Sequence, residues 1–160
     1  NEQRLIFLMH GMIRMLLIER PIDEAYLAIC KSVFPGAALG RFAPPRDKNH
    51  RDYLTGICDY IYELDDNEYS YATCYSASIA VQLVALACGI ETEVVIAVKK
   101  QDRKLVGHAW VEIIGSHSKQ IVAPGQTCID GFKVIKRLHP EKAIQAWMEK
   151  RAILDAAAES

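Results

Sequence analysis

The sequence predicts an α+β fold in which helices come first and a small antiparallel sheet follows. Three helical patterns occupy the first 66 of the 160 residues, and a continuously apolar stretch, Cys74–Ala87, comes before two β-branched runs. Because helices do not alternate with strands, a doubly wound parallel sheet is excluded. We expect a helical N-terminal region over residues 1–66 and a core over residues 67–160, together forming one compact domain.

Two helices are predicted at the N-terminus. The first covers residues 2–19 and ends before Pro21. The second covers residues 21–34, with proline in its first turn and with Asp23 and Glu24 at the end where the helix dipole favours carboxylates. The apolar part of the first helix is shorter than the ~20 residues that a membrane span needs. We therefore expect it to be covered by the core or by a partner protein, with no membrane span.

A loop and a third helix lead to the core. Residues 35–49 are rich in glycine and proline, which favours a loop. A basic cluster lies in and just after this loop and consists of Arg41, Arg46, Lys48 and Arg51. A solvated surface is the simpler interpretation of the cluster, and a contact for an acidic peptide is the alternative. The third helix is predicted over residues 51–64.

The core is predicted to contain one buried helix and four strands. Cys74–Ala87 is apolar on every face, as in a helix buried on all sides, and Gly89 follows where a helix C-cap is expected. The later elements are two long strands, two short ones and a closing helix, over residues 93–99, 105–114, 120–122, 131–138 and 140–157.

Composition limits the functional classes. The formal net charge is −1, so no overall positive field favours nucleic acid. The five cysteines are odd in number and contain no CxxC pair, which argues against a disulfide framework or a zinc ribbon. We expect a cytoplasmic protein with free thiols and with neither a metal nor a cofactor.

Cys74 is the cysteine with the most distinctive position. If Thr73 or Ser70 caps the helix, the sulfur lies in the first turn, where free N–H groups and the helix dipole stabilise a thiolate. The alternative is a buried cysteine that only fills space. The other four cysteines have no such context, and we expect them to pack in the core.

His108 is the matching histidine. It lies inside an apolar strand and shares a face with Trp110 and Glu112. A core histidine with a hydrogen-bond partner is one interpretation. A helix-start thiolate and a strand imidazole are also the parts of a Cys–His nucleophilic site, in which the imidazole takes the thiol proton and passes it to the leaving amine. The remaining four histidines have no neighbouring feature of this kind.

Four segments carry a resemblance to a known family: CYSAS at 74–78, GIET at 89–92, VVIAVKK at 94–100 and GHAWVE at 107–112. They resemble the transglutaminase-like cysteine peptidases of lasso-peptide maturation. The resemblance implies a transglutaminase-like or papain-like core with Cys74 as nucleophile and His108 as base and then acid. It also implies a leader peptidase whose partners are a precursor peptide, a separate leader-recognition protein and an ATP-using cyclase.

The third catalytic position departs from the family pattern. The family places an orienting Asp where this chain has Val122 or its neighbours. We expect Gln120 to serve instead, since a neutral side chain fills this role in papain-type sites. Asp130 is the second candidate. If neither serves, the third member is lost, and a non-catalytic peptide-binding or scaffold subunit is the alternative function; an acyl transferase that uses the same Cys–His pair is another.

Aromatic and acidic residues surround these positions. Trp110 is expected either to floor a substrate groove or to pack on the sheet, and Glu112 to face solvent or form a salt bridge. Tyr69, Tyr71 and Tyr75 are expected to line the approach to Cys74.

Overall fold

The structure is a computed structural model and describes residues 2–32, 49–66, 73–115, 120–123 and 129–158. The helices are α1 (Glu2–Glu19), α2 (Ile22–Ser32), α3 (His50–Asp66), α4 (Cys74–Ala87) and α5 (Pro140–Ala158). The strands are β1 (Thr92–Gln101), β2 (Lys104–Ile113), β3 (Gln120–Val122) and β4 (Lys133–Leu138). The predicted α+β fold class, with a helical N-terminus and a cysteine-bearing helix before an antiparallel sheet, is confirmed.

The sheet has the strand order β3-β2-β1-β4, and each neighbouring pair is antiparallel. β1 and β2 form a long hairpin that pairs without interruption from Thr92 and Ile113 to Gln101 and Lys104. Its two turn residues, Asp102 and Arg103, both have positive φ, as a tight hairpin turn requires. The pairing continues to this turn, so β1 extends beyond the predicted range of 93–99 at both ends.

Helix α4 is the centre of the core. Eleven of its 14 residues are buried, between α1 and α3 on one side and the sheet on the other. The main core contains residues of α1, α2, α3 and the sheet, among them Ile6, Ile13, Ile29, Leu54, Ile61, Val94, Val111 and Val122. The apolar character of this helix on every face is therefore explained by partners on every face.

Gln82 fixes the position of α4 against the sheet. Its amide nitrogen donates to the carbonyl oxygens of Thr92 and Leu138, both at 3.1 Å, and its amide oxygen accepts from the Tyr26 hydroxyl at 2.9 Å. The helix ends at Ala87 with Cys88 as its C-cap, and Gly89 follows with a φ of 71°, which glycine adopts readily. The Ile90 N–H then returns to the Ala85 carbonyl at 2.8 Å, so the predicted glycine does end the helix, one position beyond the C-cap residue.

A second apolar cluster lies on the opposite face of the sheet. Val95, Ala97 and Trp110 are its buried members, and Ile129 and Phe132 pack against it. Successive strand residues point to opposite faces, so Val94 and Val95 belong to different clusters. We call these two faces the helix face, which packs on α4, and the outer face, which carries Trp110.

Within the described residues, no helix combines the length and the apolar character that crossing a membrane requires. The basic cluster predicted around residues 41–51 lies outside the described residues except for Arg51, whose Nε donates to the Ile121 carbonyl oxygen at 3.2 Å.

Candidate active site

Cys74 is the first residue of α4, and Thr73 caps the helix. The Thr73 hydroxyl accepts the Ser76 N–H at 3.1 Å, and the Ser76 hydroxyl accepts the Thr73 N–H at 3.0 Å. This reciprocal capping box orders the first turn. Thr73 is therefore the cap that the sequence predicted as one of two alternatives; the other, Ser70, lies outside the described residues.

Cys74 is only partly buried, unlike most of its helix. Its sulfur lies at the positive end of the α4 dipole, near N–H groups that have no acceptor within the helix. Tyr62 of α3 lies near Cys74. Burial, and then the negative charge that Cys74 can carry, raise the pKa of the Tyr62 hydroxyl. Cys74 is thus a partly buried residue in the first turn of α4, next to Tyr62 of α3.

The other described cysteines differ from Cys74. Cys30 and Cys58 are buried free thiols, and burial raises the pKa of each to about 12. Cys88 caps the opposite end of α4, and burial raises the pKa of its thiol as well. These three are core or near-core residues, as predicted, while Cys128 lies outside the described residues.

A buried histidine that sequence reasoning missed lies behind the Cys74 turn. His10 of α1 is fully buried, and its Nε2 is 3.0 Å from the Ser76 hydroxyl, which also takes part in the capping box. Burial, and then Arg14, lower the pKa of His10 to about 4, against an opposing effect of Asp65. The sequence spacing could have indicated that His10 is buried, because His10 lies on the same face of α1 as the buried Ile6 and Ile13.

His108 lies on the outer face of the sheet. It pairs with Ala97 across the hairpin, and its ring is 6.0 Å from that of Trp110 and 5.6 Å from that of Phe132. Its Nε2 is buried and has no hydrogen-bond partner. Burial, and then Lys99, lower the pKa of His108, so the imidazole is neutral at neutral pH.

The structure does not bring the side chains of Cys74 and His108 together. α4 covers the helix face, where Val94 and Val111 belong to the main core, while the imidazole packs beside Trp110 on the outer face.

A family model described as the transglutaminase-like superfamily matches residues 23–136. The chain belongs to the transglutaminase-like superfamily. The match begins in α2, includes Cys74 and His108, and ends in β4. This superfamily includes cysteine peptidases and acyltransferases. Comparisons with curated proteins and with solved structures find no significant match.

The third position of this transglutaminase-like site is not filled by Gln120. Gln120 pairs with Ile113, which places it on the helix face, and Ile113 is five residues from His108. Five strand residues span about 17 Å, beyond hydrogen-bond reach. The prediction placed Gln120 beside the imidazole, and the register of β2 and β3 does not allow that contact.

Asp130 lies in a turn whose flanking residues, Ile129 and Phe132, pack on the outer face, where His108 also lies. The Asp130 side chain itself is exposed. Among the described residues, however, no hydrogen bond joins Asp130 to His108. The imidazole of this transglutaminase-like chain therefore has no orienting carboxylate in the described residues.

Trp110 and Glu112 form a structural pair. Trp110 is buried in the outer cluster, and its Nε1 donates to Glu112 Oε1 at 3.0 Å. Glu112 in turn forms a salt bridge with Arg137 at 2.7 Å. The sheet-packing role of Trp110 and the salt bridge of Glu112, each one of two predicted alternatives, are both confirmed.

Only one of the three tyrosines expected to line the approach lies in the described residues. Tyr75 is half-buried, and its hydroxyl is enclosed without a hydrogen-bond partner. Burial, and then the charges of Asp23 and Cys30, raise the pKa of its hydroxyl. Its side chain thus points towards α2, whereas Tyr69 and Tyr71 lie outside the described residues.

Proposed function

We propose that this transglutaminase-like chain is a cytoplasmic cysteine peptidase that removes the leader from a ribosomally made precursor during lasso-peptide maturation. The observation that carries the proposal is Cys74, a partly exposed cysteine at the capped start of an otherwise buried helix. The GHAWVE segment at 107–112 adds the resemblance to the leader peptidases. The proposed partners are the precursor, a separate leader-recognition protein and an ATP-using cyclase.

The proposed reaction uses Cys74 as nucleophile and His108 as proton carrier. His108 takes the thiol proton, and the sulfur attacks the carbonyl carbon of the bond between leader and core. The C–N bond breaks as the imidazolium gives its proton to the leaving amine, and a thioester remains on Cys74. Water then attacks the thioester, gives a proton to His108, and releases the acid. The Cys74 N–H is available to stabilise the oxyanion, since first-turn N–H groups have no intrahelical acceptor.

This mechanism requires the His108 imidazole to reach the Cys74 sulfur, and because strand residues alternate between the two faces, that takes a local rearrangement of the β2 backbone and not only a turn of the side chain. In the structure its ring packs on Phe132 and Trp110, and its buried Nε2 makes no hydrogen bond. An unsatisfied buried polar group costs about 1–3 kcal/mol. A rearrangement that pairs the imidazole with Cys74 removes this cost, and binding of the precursor with its recognition protein is the event proposed to drive it.

Thiol reactivity provides the first test. Cys74 and Cys88 lie at opposite ends of the same helix, so Cys88 is an internal reference with the reverse dipole environment. Alkylation at pH 7 followed by peptide mass analysis is expected to modify Cys74 at least about tenfold faster than Cys88. Thr73→Ala removes the cap that orders the first turn and is expected to reduce the difference in alkylation rate between Cys74 and Cys88. Equal rates at the two cysteines contradict the proposed activation of Cys74.

A non-catalytic peptide-binding subunit is the second candidate. The observations that favour it are the outward position of His108 and the absence of an orienting carboxylate among the described residues. In that case Cys74→Ala and His108→Ala leave maturation of the precursor unchanged, while binding of the precursor persists. Within the enzyme class, product mass with and without an added amine separates hydrolysis from acyl transfer.

A further inference from the structure

The exposed side of α1 carries an apolar stripe that the proposed chemistry does not use. Leu5, Leu8, Met12 and Met15 are exposed by 39%, 60%, 50% and 63%. Their spacing of three, four and three residues places them along one side of the helix, as at the seam of a coiled coil. The opposite side of α1 faces the core. Contiguous exposed apolar patches on a protein surface are often interaction sites.

Two exposed charges lie at the ends of this stripe. Arg4 precedes Leu5, Glu19 follows Met15, and both charged residues are exposed. Neither forms an ion pair or hydrogen bond in the part of the chain that the structure describes. The stripe is thus positive at its beginning and negative at its end.

We propose that this stripe binds the same stripe of a second copy of the chain, with the two α1 helices antiparallel. A two-fold axis beside Gly11 and Met12 places Leu8 opposite Met15 of the other copy. The same register places Arg4 opposite Glu19 at both ends of the contact. A parallel pair instead brings Arg4 next to Arg4 and Glu19 next to Glu19, so the charges select the antiparallel arrangement.

Gly11 suits the centre of this contact. A Cβ built at Gly11 meets nothing within 4 Å, so the surface above this glycine is open. Where one helix has no side chain, the backbone of another helix can approach closely. Met12 of the second copy is the side chain that this register places over Gly11.

The size of the stripe predicts a weak dimer. The stripe contributes four exposed side chains on each copy, far fewer than the roughly 20–30 residues per partner of a standard stable interface. We therefore expect a reversible dimer with a dissociation constant on the order of micromolar. Such a dimer depends on protein concentration, which makes the proposal measurable.

Sedimentation equilibrium of the purified full chain across a range around ~10 µM tests the proposal. The wild type is expected to show a monomer–dimer equilibrium, and Leu8→Glu is expected to be monomeric. Leu105→Glu, which changes an even more exposed leucine at the start of β2, is the matched control and is expected to dimerise like the wild type. Circular dichroism verifies that each variant is folded.

Charge exchange tests the register. Arg4→Glu alone, or Glu19→Arg alone, places like charges opposite each other at both ends and is expected to weaken the dimer about tenfold. The double variant restores opposite charges and is expected to return close to wild-type affinity. A monomeric wild type, a dimer that survives Leu8→Glu, or a double variant no stronger than the single ones each overturns the proposal. The proposal is also overturned, in favour of the leader-recognition protein as the partner, if the wild type is monomeric alone and Leu8→Glu abolishes its binding to that protein.

Discussion

His10 makes the stability of the fold depend on pH. In the folded chain burial holds the pKa of this imidazole at about 4, whereas its ordinary value is 6.5. The folded pKa is lower than the unfolded one, so the unfolded state binds the proton first as the pH falls. The contribution of the neutral, buried His10 is therefore fully present above pH 6.5 and is lost as the pH falls towards 4.

The size of this effect follows from the two pKa values. Their difference corresponds to roughly 3 kcal/mol at about 1.4 kcal/mol per pH unit, reached only below the folded pKa. Between pH 7.5 and 5.5 the expected loss in the free energy of unfolding is about 1.4 kcal/mol. This value is large enough to measure, because a domain of this size typically has only about 5–15 kcal/mol of stability.

Urea unfolding of the wild type and of His10→Gln at pH 7.5 and 5.5 is the assay. Glutamine keeps a polar group near Ser76 but does not titrate in this range. We expect the wild type to lose about 1.4 kcal/mol more than the variant between the two pH values. Because all other titrating groups are common to both proteins, they cancel in this comparison. Equal pH dependence in the two proteins refutes the account of His10 as a buried neutral histidine.

Three further substitutions test the local structure by urea unfolding at neutral pH. Thr73→Ala removes the N-cap of α4 and is expected to cost about 1 kcal/mol, whereas Thr73→Ser keeps the capping oxygen and costs less. Glu112→Gln removes the charge between Trp110 and Arg137. We expect a loss of about 1 kcal/mol, since the partly exposed arginine limits the strength of the pair; an unchanged stability contradicts a structural role for this salt bridge. Gly89→Ala places a side chain at positive φ and is expected to cost about 1 kcal/mol; no loss at this position contradicts the role assigned to Gly89 in ending α4.

Most of the fold was predictable because local patterns agree with it. The bounds of α1 and α4 match the predicted ranges, since Pro21 and Gly89 end these helices by their own backbone preferences. The strands were found from their β-branched runs. Their ends were less certain, because hairpin pairing extends β1 to the turn at Asp102 irrespective of side-chain type.

The site was less predictable because it depends on which side chains share a face. Alternation correctly placed His108 with Trp110, but it did not say which face packs on α4. That choice is decided by tertiary packing, in which Val94 and Val111 contribute to the main core. The misplaced Gln120 has the same origin, because its face depends on the register between β2 and β3.

Cleavage of the precursor is the direct measure of the proposed peptidase activity. The chain is incubated with a candidate lasso precursor and its leader-recognition protein, and the products are identified by intact mass. We expect two fragments whose masses sum to the precursor plus one water, with cleavage abolished in Cys74→Ala and retained in the control Cys88→Ala. Cleavage that persists in Cys74→Ala contradicts the proposal that Cys74 is the nucleophile. A precursor that stays intact with the wild type and with both variants contradicts the proposal that the chain is a leader peptidase.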